Sequence, residues 1–200
     1  MLLFAFAGSG LVGLVIAGLI WTFGGAGADV ETAVRDAGGT FRTVKSPPHA
    51  SDHSDVPTLE TKVEWNTDPP SNGMHIGQIG VWNFYDEPVN PRLIVHNLEH
   101  GGLAIWWGSD VPAATVDRLR EWYADDPVSV IGTPYPKLGT KIALTAWTGN
   151  PSTYFEDGDF GEGRIAVFPR FDEKAFDTFR DEFRGKGPEG VDMEQNQPGT

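Results

Sequence analysis

The hydrophobic pattern divides the chain into two unequal parts. Residues 1–24 run almost without interruption through Leu, Val, Ile, Ala, Phe and Gly, and Met1 to Phe23 contains no charged residue. About twenty such residues span a bilayer at a helical rise of roughly 1.5 Å per residue. The segment is therefore expected to be a transmembrane anchor. Ala26-Gly27-Ala28 resembles a signal-peptidase site. The apolar run, however, exceeds the usual h-region of about 7–15 residues and has no basic stretch before it, which favours an uncleaved anchor.

Beyond the anchor the pattern turns amphipathic and punctuated. Residues 25–59 read as a linker with short elements: a helix over Asp29 to Ala37, a strand over Phe41 to Lys45, and the loop SPPHASDHSDV over 46–56. Residues 60–185 read as the globular domain. Alternation predicts strands at Thr61 to Trp65, Ile79 to Phe84, Gly102 to Trp107, Ser129 to Ile131, Lys141 to Thr148 and Arg164 to Phe168. Helical periodicity appears over Pro112 to Ala124, with Val116, Leu119 and Tyr123 on one face. It appears again after the N-cap Asp172, where Ala175, Phe176, Phe179 and Phe183 form a stripe. Residues 186–200 are Gly/Pro-rich and polar, and their composition predicts a disordered tail.

Strands mixed with late helices, without strict alternation of strand and helix, predict an α+β class. The expected architecture is a single globular domain with a mainly antiparallel sheet and two or three helices behind the transmembrane helix. About 175 residues suffice for one domain with a substantial core.

Charge and composition remove several functions. The net charge of −13 opposes nucleic-acid phosphates and anionic lipid heads, so no nucleic-acid partner is expected. There is no cysteine, hence no disulfide, thiolate nucleophile or Cys-ligated zinc. Gly8-Ser-Gly-Leu-Val-Gly13 matches the dinucleotide fingerprint G-x-G-x-x-G. It lies inside the apolar span, where small residues instead let another helix approach.

The chemistry concentrates in PRLIVHNLEHGG, residues 91–102. Asn90 suits an N-cap, Pro91 the first helical position and Gly101 the residue just beyond the C-terminus, which favours a short helix over Pro91 to His100. Leu93-Ile-Val95 argues instead for a strand. His96 and His100 share a face in either conformation, whereas Glu99 neighbours His96 only on a helix. His75 follows the turn PPSNGMH, which would aim it inward. Three imidazoles and a carboxylate suit zinc, and the thioether of Met74 would shift the preference towards copper. His49 and His53, among Asp52 and Asp55, read as part of a solvated linker. His96 to His100 also fits H-x-x-E-H, the inverzincin signature, with Glu173, Asp177 and Glu182 as nominal third ligands. The glycines after His100 stop the long motif helix that such proteases need. The acidic run Glu156 to Glu162 lacks EF-hand spacing.

Three blocks recur in one order: NTDPPSNGMH over 66–75, WNFYD over 82–86 and VHNLEHGG over 95–102. Together they resemble a bacterial, membrane-anchored domain-of-unknown-function family with a PPxSGxH-like turn and an H-x-LEHG block. The resemblance covers roughly residues 37–188. It implies that the domain lies outside the cytoplasm, although Arg35, Arg42 and Lys45 after the span weakly suggest the reverse by the positive-inside rule. It also implies that His75, His96, Glu99 and His100 belong to one site. The chain departs from the family pattern at Asn72 and Met74. It also lacks the cysteines that relatives carry at the position of Gly39 and near Trp147 to Phe155.

The expected function is a metal-binding extracytoplasmic domain, with catalysis left undecided, holding zinc or copper through His75, His96, His100 and Glu99. An envelope interaction module that binds a partner protein and uses its histidines structurally is the alternative. A metal-dependent hydrolase comes third.

Overall fold

The computed structural model describes residues 26–154 and 158–200. Five strands form one mixed sheet: β1 (Thr40–Lys45), β2 (Leu103–Trp107), β3 (Val130–Pro134), β4 (Ile142–Thr148) and β5 (Glu162–Phe168), in the order β1-β5-β4-β2-β3. Three pairings are antiparallel, and β2 with β3 is parallel. The parallel pair arises because helix α3 (Ala113–Asp125) connects β2 to β3, and a crossover element returns the chain in the same direction. The expected α+β domain is present, with a mixed sheet and more helices than expected. They are α1 (Ala26–Asp36), α2 (Pro91–Glu99), α3, α4 (Pro151–Tyr154) and α5 (Glu173–Phe183).

Alternation along the strands builds two cores. Leu103, Ile105 and Trp107 of β2 point to one face, with Ile142, Leu144 and Ala146 of β4, and meet α1, α3 and α5. Ala104 and Trp106 point to the other face with Ala143 and Trp147, and meet Ile94, Val95 and Leu98 of α2. Every residue of β2 is buried, as expected for a central strand covered on both sides. On α5 the Asp172 carboxylate accepts from the Ala175 N–H at 3.0 Å, and Ala175, Phe176, Phe179 and Phe183 are the buried stripe. Trp106 donates its indole N–H to Thr145 Oγ1 at 2.8 Å and Trp147 to the Phe160 carbonyl at 2.6 Å. Trp82, equally buried, has no such partner among the described residues.

Four expectations differ from the structure. Thr61 to Trp65 alternates but joins no strand; it packs as irregular chain, with the Trp65 indole donating to the Met74 carbonyl at 3.0 Å. Ile79 to Phe84 makes only one bridge, Phe84 with Gly132. Of the expected linker over 25–59, residues 26–59 are built into the domain, because β1 completes the sheet and Val30 and Val34 of α1 are fully buried. Residues 186–200 are folded onto the body, where Ser129 donates to the Asn196 carbonyl and Trp82 to that of Thr200, both at 2.9 Å. The transmembrane segment expected over 1–24 lies outside the described residues. Among those described, no helix is long and apolar enough to cross a membrane.

Candidate metal centre

Helix α2 is built as its sequence dictates. The Asn90 side chain accepts from the Arg92 N–H at 3.1 Å, and Pro91 occupies the first turn. At the other end Gly101, with φ +85°, lets the chain reverse. Its N–H bonds to the Leu98 carbonyl at 3.0 Å and that of Gly102 to the Asn97 carbonyl at 2.9 Å, a Schellman motif. The helix therefore stops at Glu99, and His96 and Glu99 share its buried face three residues apart.

His75 arrives from the turn at 66–75. Gly73 takes φ +106°, and the His75 Nδ1–H donates back to the Gly73 carbonyl at 2.8 Å. The turn is fixed to the sheet edge by Asn72, whose amide donates to the Val44 carbonyl of β1 at 3.0 Å. Beyond His75 the chain is held against α2 by Asn97, which accepts from the Gly80 N–H at 2.9 Å and donates to its carbonyl at 2.8 Å.

These elements bring His75, His96 and Glu99 together, with His53 as a fourth member. Glu99 Oε2 lies 3.0 Å from His75 Nε2, 3.4 Å from His53 Nε2 and 3.8 Å from His96 Nε2, and the Nε2 atoms of His53 and His75 are 2.9 Å apart. All four ligand atoms lie within 4.8 Å of one another. Ligands held tetrahedrally at about 2.0–2.1 Å from one ion would be about 3.3 Å apart.

Proton placement decides what this convergence means. A backbone carbonyl only accepts, so His75 Nδ1 facing Gly73 and His96 Nδ1 facing the Ile76 carbonyl at 3.0 Å must both carry hydrogens. The other ring nitrogen of each, Nε2, is the atom turned towards the Glu99 carboxylate. Burial, with His75 alongside, pushes His96 down to about 4, so its ring is neutral at pH 7. Burial works to raise the Glu99 carboxyl, but the hydrogen bonds of His75 and Tyr154 hold it below its ordinary value. Three imidazole nitrogens and a carboxylate oxygen thus converge on one point, a donor set that could hold a metal ion. One shared proton would serve the His75–Glu99 line alone.

Glu99 Oε1 is occupied separately by the Tyr154 hydroxyl, which donates to it. Burial and the adjacent carboxylate push the Tyr154 phenol far above its ordinary value, keeping it a donor. Tyr154→Phe is expected to weaken metal binding about tenfold to a hundredfold, the usual effect of losing a bond that orients a ligand. Competition with a colorimetric chelator measures this, and an unchanged far-UV spectrum shows that the fold is kept.

The structure does not bring His100 into this cluster with the other three expected residues. Its ring does share a face with His96, with centroids 4.7 Å apart. Its Nε2, however, pairs with Glu189 Oε2 at 2.9 Å. The C-terminal segment docks beside it, with Gly185 donating to the Gly101 carbonyl at 2.8 Å, and supplies the carboxylate that turns His100 away. His96, His100 and Glu189 form a second, more exposed group of metal-ligand types. His53, read as solvated linker, takes the place expected for His100. It sits on a single 3-10 turn, His53–Asp55, capped by Asp52. An Asp followed by Ser two residues later was the signal available for a structured turn there. Met74 contributes its carbonyl to Trp65. The nominal hydrolase ligands lie on α5, across the sheet, where Asp177 bonds Trp122 and Arg180 and Glu182 pairs with Lys186.

Fold and site together define an α+β domain with a buried histidine–carboxylate cluster that could hold a metal ion. The chain belongs to the family described as protein of unknown function, DUF3105, which matches residues 57–196. The match spans three of the four cluster residues, His75, His96 and Glu99, and His53 lies just before it. Comparison with curated proteins finds no match, and comparison with solved structures finds none.

Proposed function

We propose that this protein binds a transition-metal ion, zinc or copper(II), through His53, His75, His96 and Glu99, in a membrane-anchored domain outside the cytoplasm. One observation carries the metal reading: three imidazole nitrogens and a carboxylate oxygen converge within 4.8 Å of one another, with the Nδ1 atoms of His75 and His96 committed to carbonyls. Imidazole suits zinc and copper alike, and a nitrogen-rich site with one carboxylate suits calcium and magnesium poorly. The apolar segment 1–24 and the family resemblance support the anchored, extracytoplasmic placement.

Metal analysis of the full chain purified in detergent tests the binding. One zinc or copper per chain is expected, falling to background in His75→Ala. A wild-type chain that takes up no metal on titration refutes the reading. Accessibility of an introduced cysteine to an impermeant thiol reagent in intact cells tests the placement. Labelling supports the extracytoplasmic side, and protection until lysis overturns it.

A further inference from the structure

The four residues of the centre are not held alike. His75 is fully buried, Glu99 and His96 nearly so, with side-chain exposures of 1% and 9%. Each is fixed by a second bond: His75 to Gly73, His96 to Ile76 and Glu99 to Tyr154. These anchors belong to a capped helix and a tied turn.

His53 differs on every count. Its side chain is 36% exposed. It stands on one 3-10 turn whose side-chain hydrogen bonds stay within the turn, Asp52 accepting from the Ser54 N–H at 3.0 Å and its hydroxyl at 2.5 Å. Its Nε2 faces His75 Nε2 at 2.9 Å and Glu99 Oε2 at 3.4 Å, but its Nδ1 has no anchoring hydrogen bond among the described residues, and the ring otherwise stacks on His96 at 4.7 Å and lies edge-on to His75 at 4.7 Å. Beneath it is Gly77, where a Cβ would come within 3.2 Å of the His53 Nδ1.

We infer that the centre is a three-plus-one site. It rests on the metal reading above. His75, His96 and Glu99 hold the ion, and His53 is a displaceable cap over a fourth position that accepts a small anionic oxygen or nitrogen donor. Two imidazoles and one carboxylate with one open position is a ligand set that zinc sites use when they bind an external molecule. Charge favours an anion there. A divalent ion with one carboxylate and neutral imidazoles keeps a net charge of about +1, which a buried setting disfavours and an anion neutralises. An imidazole nitrogen donor in that position adds no negative charge. Its exposure places the exchange directly at solvent. The exchange breaks one metal–nitrogen bond and forms one bond to the incoming donor, with no change of oxidation state.

Cobalt(II) in place of the native ion makes the test visible, since its absorption reports coordination, and azide is the probe. The full chain in detergent is loaded with cobalt as wild type, His53→Ala and His75→Ala. His53→Ala is expected to keep one cobalt with affinity lowered about tenfold, whereas His75→Ala loses it. Azide is expected to shift the visible spectrum of both cobalt-bound forms, saturating at about tenfold lower concentration in His53→Ala, because a competing ligand is gone. Loss of cobalt from His53→Ala as complete as from His75→Ala overturns the proposal, showing His53 to be a full ligand. So does an azide-insensitive spectrum in His53→Ala. Failure of the wild type to bind cobalt, zinc or copper instead refutes the metal reading itself.

Discussion

Removing the metal from the loaded protein with a chelator is expected to lower its melting temperature by about 8–16 °C. A ligand that binds only the folded state stabilises it by about 4 kcal/mol when free metal is a thousandfold above Kd. For a domain of this size each kcal/mol moves the transition by about 2–4 °C. On the proposed metal reading the ion would bind only the folded state, because the four side chains come from distant stretches. His53 lies 22 residues before His75, and Glu99 lies 24 after it. No local segment of the unfolded chain can present this set. Removing an ion from this buried site would also take a shared partner from its imidazole nitrogens and carboxylate, which adds to the difference. His75→Ala should melt at one temperature with or without chelator. Thermal unfolding by circular dichroism at fixed metal concentration measures both. A wild type insensitive to chelator would leave the cluster with no role in stability through metal.

Asn97→Ala is expected to destabilise the domain by about 3 kcal/mol and to weaken metal binding as well. Asn97 is fully buried, and its amide satisfies both backbone groups of Gly80. Truncation leaves a buried N–H and a buried carbonyl without partners, each costing about 1–3 kcal/mol. The same clamp holds the chain from Ile76 to Gly80 against α2, and Ile76 supplies the carbonyl that orients His96. Asn97→Asp should not rescue, since an ionised carboxylate cannot donate to the Gly80 carbonyl. Urea denaturation gives the stability change. A loss under about 1 kcal/mol in Asn97→Ala would show that water replaces the clamp.

Much of α2 was legible because its signals are local. Asn90, Pro91 and Gly101 are each decided by a few neighbouring backbone atoms, and His96 and Glu99 follow from helical spacing once the helix is accepted. The inward turn before His75 was legible from its prolines and glycine. His53 was not, because its position depends on how a polar loop packs against α2, and loop composition carries no periodicity. The departure of His100 was hidden for a related reason. Its partner Glu189 comes from a Gly-rich segment whose composition resembles disorder, yet its glycines permit close packing. A Cβ at Gly187 would lie 2.4 Å from the Glu99 carbonyl oxygen and 2.2 Å from the Gly101 nitrogen. In the fold, the strand pattern at Thr61 to Trp65 was real alternation that joined no strand in the sheet. The parallel pairing of β2 with β3 depended on recognising one helical crossover among otherwise antiparallel neighbours.

X-ray absorption at the edge of the bound zinc or copper in the full chain tests the central claim most directly. The account predicts a first shell of nitrogen and oxygen near 2.0–2.1 Å for zinc. The outer-shell scattering of imidazole rings should be present in the wild type and reduced in His96→Ala. A shell of oxygen alone, without imidazole scattering, would contradict it.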